Sequence, residues 1–271
     1  MSTREPAATF DEHPDRYDAL IDWPRRLDNE TPFYRRLFDE IGARRVLDAA
    51  CGTGRHAAMF HGWGLEVEGA DLSAGMIRLC RERHGAPAGL RWVERSFTAT
   101  VDRPGYFDVA LCVGNSLALI EDSDRPADGL SLLTETAAAL LAAVRPGGAC
   151  VVQVLNLWRF AEGPTVWQKC VRTQVADSRR ILLKSVHRTG SRAHIDFVDL
   201  RQDPSDPLPD HFDATTFRGI EAAELTAAFC DAGAEGIALL GNYQGKPYDA
   251  ASSPDLILTC RRSPAETELT C

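Results

Sequence analysis

Val46-Leu47-Asp48-Ala49-Ala50-Cys51-Gly52-Thr53-Gly54 is a run of apolar strand formers that ends on an acid and breaks into a turn with two glycines. A strand entering such a turn and then a helix opens a βαβ unit, because glycine lets the chain reverse tightly and lets a ligand approach the backbone. The following Gly52-Thr53-Gly54-Arg55-His56-Ala57 also fits the G-x-G-x-x-A spacing of a dinucleotide site. The turn alone therefore leaves open which nucleotide it holds.

Outward from this turn, strand and helix patterns alternate. Residues 45–49 read as a first strand and 55–61 as a short helix. Residues 65–71 alternate as a second strand, and Ser73 is placed to cap a helix running to residue 84. Residues 90–95 make a third strand, and the almost wholly apolar 107–113 a buried fourth. Leu130, Leu133, Ala137, Leu140, Leu141 and Val144 share one helical face, with Pro146-Gly147-Gly148 expected to stop that helix before a strand at 149–155. Beyond residue 158 the pattern turns to β-branched alternation, as in 181–186 and 194–200, followed by a Pro- and Asp-rich stretch at 203–213. A helix with Ala222, Leu225, Phe229 and Ala232 on one face ends at Gly233, and two strands at 236–240 and 255–260 close the chain as a hairpin.

The expected fold is α/β: a Rossmann-like, doubly wound seven-stranded sheet, mostly parallel with the last strand antiparallel, and an inserted antiparallel β lid. Residues 1–40 read as an N-terminal helical cap, 41–157 with 214–262 as the ligand-binding domain, 158–213 as the lid, and 263–271 as a loose tail.

Composition limits the partners. With 39 acidic and 30 basic side chains the net charge is −9, and no stretch concentrates Lys and Arg as a phosphate backbone requires, so nucleic acid is not an expected partner. No apolar run approaches a bilayer span and residues 1–10 lack the apolar stretch of a signal peptide, so a cytoplasmic location without membrane association is expected. Eight scattered cysteines, never C-x-x-C, read as reduced and mostly buried. His56 and His61 do not make a metal-ligand spacing, and no metal is expected. Oligomeric state is not legible.

The whole run from Val46 to Gly54, with Asp71 ending the second strand and Leu72-Ser73-Ala74-Gly75-Met76 opening the next helix, resembles class I S-adenosylmethionine-dependent methyltransferases over roughly residues 17–156. Phe107-Asp108-Val109-Ala110-Leu111-Cys112-Val113-Gly114-Asn115-Ser116 is similar to the fourth-strand motif of the glycine and sarcosine N-methyltransferase group. The resemblance implies S-adenosyl-L-methionine as cofactor, with Gly52 and Gly54 admitting its methionine part and Asp71 on the ribose hydroxyls. It puts Met76 and Phe97 beside the adenine and Arg26, twenty residues before Val46, on the cofactor carboxylate, and counts Asp48 among the cofactor-binding residues without assigning it a moiety. An always-charged guanidinium fork suits that last task. Tyr17, Ala50, Leu72, Val113 and Asn115 complete the implied cofactor-binding set. Ser96-Phe97 stands where the group has Asn-Trp. Its substrate arginine falls on Leu155, with Asn156 retained, so glycine is a poor guess for the substrate.

Methyl transfer from a sulfonium is an in-line displacement needing alignment and dryness more than a strong base. A small-molecule acceptor is expected, with nitrogen favoured over oxygen. Asn115, Asn156, His187 and Tyr243 are the catalytic candidates, with His194 and His211 as further proton carriers, and Trp158, Arg159, Trp167 and Tyr248 are candidate pocket walls. Two rivals remain: an NAD(P)-dependent oxidoreductase, against which the missing Tyr-x-x-x-Lys pair counts, and a catalytically silent protein that binds the same donor as a sensor or partner.

Overall fold

Seven strands form one sheet because their middle members are apolar on both faces. β1 (Arg45–Asp48), β2 (Glu66–Asp71), β3 (Leu90–Glu94), β4 (Phe107–Cys112), β5 (Val144–Leu155), β10 (Ala234–Leu240) and β11 (Asp255–Arg262) lie in the order β10-β11-β5-β4-β1-β2-β3. The computed structural model describes residues 18, 21–119, 131–175, 178–201 and 209–264. Every residue of β4 is buried, as a central parallel strand covered by helices on both sides must be. β11 alone runs against its neighbours, pairing antiparallel with both β5 and β10. The doubly wound sheet and its antiparallel last strand are as expected.

Between them run α2 (Arg55–Gly62), α3 (Ala74–His84), α4 (Leu132–Ala143) and α5 (Ala222–Asp231), preceded by α1 (Trp23–Ile41). Ser73 caps α3 by accepting a hydrogen bond from the Met76 amide at 3.1 Å. α1 starts on the Asp22 cap and stops at Gly42, whose φ of 64° closes a left-handed turn. Its buried side carries Trp23, Phe33, Tyr34, Phe38 and one carboxylate, Glu30.

Pro146-Gly147-Gly148 does not stop α4. That helix ends at Ala143, and Val144, already extended and fully buried, pairs with Phe107 in the sheet. The Pro-Gly-Gly segment instead forms an irregularity inside β5, between the Phe107 and Val109 pairings. Leu130 and the tail from residue 265 onward lie outside the described residues.

A second, four-stranded antiparallel sheet follows β5: β6 (Thr165–Val175), β7 (Ser178–Thr189), β8 (Arg192–Arg201) and β9 (Pro209–Arg218), in that order. β9 extends to Arg218, past the boundary expected at residue 213. Val186, Ala193, Ile195 and Phe217 join the main hydrophobic core, so this sheet packs one face on the α/β domain. Residues alternate between faces, so His187 and His194, a cross-strand pair, occupy the opposite face.

The strand order reverses between β1 and β4, and the crevice at that switch point is where open α/β sheets bind ligands. The indole of Trp92 sets the packing under the crevice floor: a Cβ at Gly54 would come within 2.7 Å of it and one at Gly69 within 2.5 Å. Gly69→Ala is therefore expected to destabilise the fold by about 1–3 kcal/mol through overpacking, read as a lowered urea midpoint. An unchanged midpoint would contradict this packing account.

Candidate active site

The glycine turn is held from two sides. Asp71, at the end of β2, accepts the Gly52 amide at 2.8 Å through Oδ2 and the Ser73 amide at 3.0 Å through Oδ1. Asp18 takes the other side, accepting from Thr53 Oγ1 at 2.7 Å while Arg55 and Arg83 pair with its second oxygen. Burial opposes the Asp18 charge, but the Arg55 and Thr53 bonds and both guanidinium charges outweigh it and hold the carboxyl below the usual range. Gly52 has φ 52° and a Cβ built there meets open space, so backbone conformation requires glycine at this point and the side facing the crevice stays clear.

Asp48 ends β1 beneath this turn. It is 1% exposed, and neither carboxylate oxygen completes a hydrogen bond. Burial pushes its carboxyl up to about 6; Asp71 adds to the rise, while His56, Arg26 and the Ala50 amide pull against it. A buried, unsatisfied carboxylate is costly and calls for a cationic or hydrogen-bonding partner.

α1 delivers Arg26 to the same place. Its Nη2 would lie 3.7 Å from a Cβ on Gly114, in the turn after β4, and its Nε donates to Glu30 Oε1 at 2.8 Å. Glu30 bonds His56 Nε2 at 2.7 Å through the other oxygen. Burial works against the Glu30 charge, but the His56 bond and the Arg26 charge prevail and hold the carboxyl below its ordinary range. One buried carboxylate thus ties Arg26 to the helix that follows the glycine turn.

The turn after β4 is braced by β5. Asn115 takes a positive φ of 71°, and its Oδ1 accepts the Leu155 amide at 2.8 Å. Gln153 Oε1 accepts the Gly114 amide at 2.8 Å while its Nε2 donates to Asp255. Ser96 and Phe97 line a cleft with Ala49 and Leu140, and Leu72 is 58% exposed at the mouth of the β2–α3 turn. Val113 and Met76 are buried, Ala50 half-buried; Tyr17 lies outside the described residues.

The catalytic candidates fare differently. Asn156 is saturated: its Nδ2 donates to the Ala250 and Ser253 carbonyls and its Oδ1 accepts from the Trp158 amide and the Tyr248 hydroxyl, so it clamps two loops together. Tyr243 is buried against Phe33 and Tyr34, its hydroxyl 3.4 Å from that of Tyr34, and burial drives its pKa far above the normal phenol range. Neither offers a reactive atom to the crevice. His187 and His194 sit on the face of the second sheet turned away from the core, bonded to Thr165 and Thr216, and Trp167 is 61% exposed. The His211 side chain lies outside the described residues. Of the wall candidates, Trp158 packs against Gly219 with Arg188 stacked 5.2 Å from its ring, and Arg159 stacks on Phe160. Among the described residues no group of His, Cys, Asp and Glu is placed to hold a metal ion.

Residues 46–148 match a family described as a methyltransferase domain. Over those residues the chain carries a methyltransferase domain. This methyltransferase domain is similar to the glycine/sarcosine N-methyltransferase of Parasynechococcus marenigrum, at 34% identity over 152 residues, 55% of this chain and 51% of that protein. The chain thus spans about half the length of that curated relative. Among solved structures, the CcbJ methyltransferase from Streptomyces caelestis superposes with a TM-score of 0.72 at 22% identity, over 93% of this chain and 97% of that one. An amino pentose methyltransferase from Micromonospora echinaspora, bound to S-adenosylmethionine, superposes with a TM-score of 0.68 at 22% identity, over 91% and 94% of the two chains. Both likenesses include the second sheet as well as the nucleotide-binding half.

The residues present fit the donor. Asp48 offers an unsatisfied buried anion to a cationic ligand, Gly52 leaves its side of the crevice clear, and Arg26 presents a guanidinium. The sequence singled out Arg26, Asp48 and Asp71 but not Asp18, Glu30 and Gln153, which bond Thr53, Arg26 and the Gly114 amide respectively. The Arg26–Glu30 spacing of four residues on one helix was a signal for one of these; the contacts of Asp18 and Gln153 span 35 residues or more and left none. Arg26→Gln is expected to weaken S-adenosylhomocysteine binding at least about tenfold, the loss of one charge-assisted hydrogen bond, while the exposed neighbour variant Arg25→Gln binds as wild type. Calorimetric titration reads both, and equal affinity in all three proteins would remove Arg26 from the site.

Proposed function

We propose that this chain transfers the methyl group of S-adenosylmethionine to a small-molecule acceptor, at nitrogen in preference to oxygen. The observation that carries the reading is the buried, unpartnered Asp48 carboxylate at the switch point, between a glycine turn braced by Asp71 and an arginine braced by Glu30. A sulfonium donor carrying an ammonium, a carboxylate and a ribose matches that set of charges and acceptors, whereas a dinucleotide would bring a pyrophosphate toward Asp48.

When bound, the donor supplies an activated methyl whose bond to sulfur breaks as the bond to the acceptor forms, leaving a neutral thioether. The chain's own work is to fix and to dry the reacting groups. Asp71 orients through the ribose, Arg26 through the carboxylate, and the Gly114-Asn115 turn, fixed by Gln153 and Leu155, borders the transfer path. No general base is assigned. His187 and His194 lie on the far face, Tyr243 is buried as a neutral phenol, and an amine that arrives uncharged needs none, because its surplus proton leaves to solvent after transfer. This favours nitrogen over an alcohol oxygen. The names of the similar proteins, a glycine/sarcosine N-methyltransferase and an amino pentose methyltransferase, support the same preference, and the net charge of −9 supports a small acceptor over nucleic acid.

A labelled-methyl assay across small amines, amino acids, amino sugars and phenols tests the reading. Transfer to an amine supports it; tight donor binding with no transfer to any of them would instead favour a sensor. Asp48 adds a pH signature. Its folded-state pKa is raised, so the unliganded fold loses stability as pH rises through the range from the unbound value of 3.8 to about 6, and a cationic donor that needs the carboxylate binds better as pH rises through 6. Asp48→Asn is expected to flatten that donor-binding profile and to stabilise the unliganded protein at neutral pH by up to about 3 kcal/mol. A wild-type profile flat from about pH 5 to 7 would contradict the assignment of Asp48 to the donor's cation.

A further inference from the structure

β11 runs against its neighbours, so its first residue lies at the carboxyl end of β5, the end of the sheet where the crevice opens. That residue is Asp255, directly opposite Leu155, whose amide Asn115 Oδ1 accepts. Asp255 and Ile257 share a face of β11, and Ile257 belongs to the core cluster of Phe33, Tyr34, Val113 and Tyr243, so the carboxylate is turned to the side that α1 covers. Its Oδ1 accepts from Gln153 Nε2 at 2.8 Å, and Gln153 Oε1 accepts the Gly114 amide at 2.8 Å. One glutamine therefore links this carboxylate to the turn that borders the transfer path.

Around Asp255 stand Glu30 and Arg26 on α1, Arg159 after β5 and Tyr243 after β10. Burial first, with Glu30 adding to it, raises the Asp255 carboxyl above its ordinary range, against the Gln153 bond and the charges of Arg159 and Arg26. Both guanidinium groups are engaged elsewhere: Arg26 donates to Glu30 at 2.8 Å, and Arg159 stacks 4.8 Å from the Phe160 ring centroid. Among the described residues Asp255 forms no ion pair and its Oδ2 accepts no hydrogen bond. A half-buried carboxylate with one oxygen fixed and the other open suits a hydrogen-bond donor that carries positive charge.

On the donor reading given above, the methyl on sulfur is attacked by an acceptor nitrogen. We propose that Asp255 Oδ2 accepts an N–H of that nitrogen, which makes Asp255 a catalytic residue and the acceptor an amine bearing at least one hydrogen. The nitrogen lone pair forms the new bond to carbon as the bond to sulfur breaks, the positive charge passes from sulfur to nitrogen, and the surplus proton then leaves to solvent. A carboxylate already bonded to that nitrogen compensates the charge as it develops, so the interaction is stronger in the transition state than before it. Asp48 and Asp255 then stand at the two ends of the charge movement, one by the donor's cation and the other by the product's.

The test uses the full chain saturated with S-adenosylhomocysteine. The loaded protein is titrated calorimetrically with methylammonium and ethanolammonium, which carry the charge of a product amine, and with methanol and ethylene glycol as their uncharged counterparts. Saturable binding of at least one ammonium is expected, tighter than that of its hydroxyl counterpart. Asp255→Asn, which keeps the shape of the side chain and an acceptor for Gln153, should weaken it about tenfold. Asp255→Ser stands in if Asp255→Asn does not fold. With S-adenosylhomocysteine kept saturating, ammonium binding by the wild type should fall as pH is lowered from about 7 toward 4, because the carboxylate loses its charge, and the variants should lack that fall. No saturable binding of either ammonium, equal binding of an ammonium and its hydroxyl counterpart, or equal binding by wild type and Asp255→Asn overturns the assignment. Loss of S-adenosylhomocysteine affinity in Asp255→Asn with ammonium binding intact makes the carboxylate a brace for the Gly114 turn and overturns it as well. Failure of the donor reading is distinguishable, because it shows first as a wild-type chain that does not bind S-adenosylhomocysteine.

Discussion

A carboxylate taken out of water without a partner weighs against folding, and this chain places one at the end of its central strand. Asp48 is buried by the same arrangement that makes the sheet stable: β1 lies between β2 and β4, with helices over both faces. What surrounds it is organised around that charge. Asp71 holds the glycine turn above it, Glu30 holds Arg26 beside it, and His56 links Glu30 to the helix that leaves the turn. Natural proteins concentrate such local costs where a ligand offsets them. On the proposed function, the donor's positive charge is that counterpart.

The α/β half was legible because its signals are local. Alternation, the Ser73 cap and the apolar run of β4 each reflect a period or a turn a few residues long, and the structure reproduces them within a residue or two. Pro146-Gly147-Gly148 misled because turn residues mark an interruption without saying which element they interrupt. The buried side chain of Val144 had already committed the chain to the sheet before the proline was reached. Tertiary burial overrode the local stop.

The site was half legible for a related reason. Asp48, Gly52 and Asp71 stand in or beside the first two strands and Arg26 at a fixed offset before the first, so a motif exposes them. The residues that brace the turns around them come from elsewhere in the chain, as Gln153 reaches Gly114 and Asp18 reaches Thr53. The second sheet is harder still. His187 and Lys184 lie three residues apart in one strand, yet one faces away from the core and the other toward it. Only the register of β7 against β8 separates them.

The most direct test of the central claim is a calorimetric titration of the unliganded chain with S-adenosylmethionine at about pH 6, repeated in buffers of different ionisation enthalpy, with NADH titrated in parallel. If Asp48 receives the donor's cation, S-adenosylmethionine binds saturably and releases protons on binding, because the carboxyl that is partly protonated near pH 6 is driven to its charged form, while NADH gives no saturable heat. Saturable NADH binding with none for S-adenosylmethionine would contradict the account, and donor binding with no proton release would detach it from Asp48.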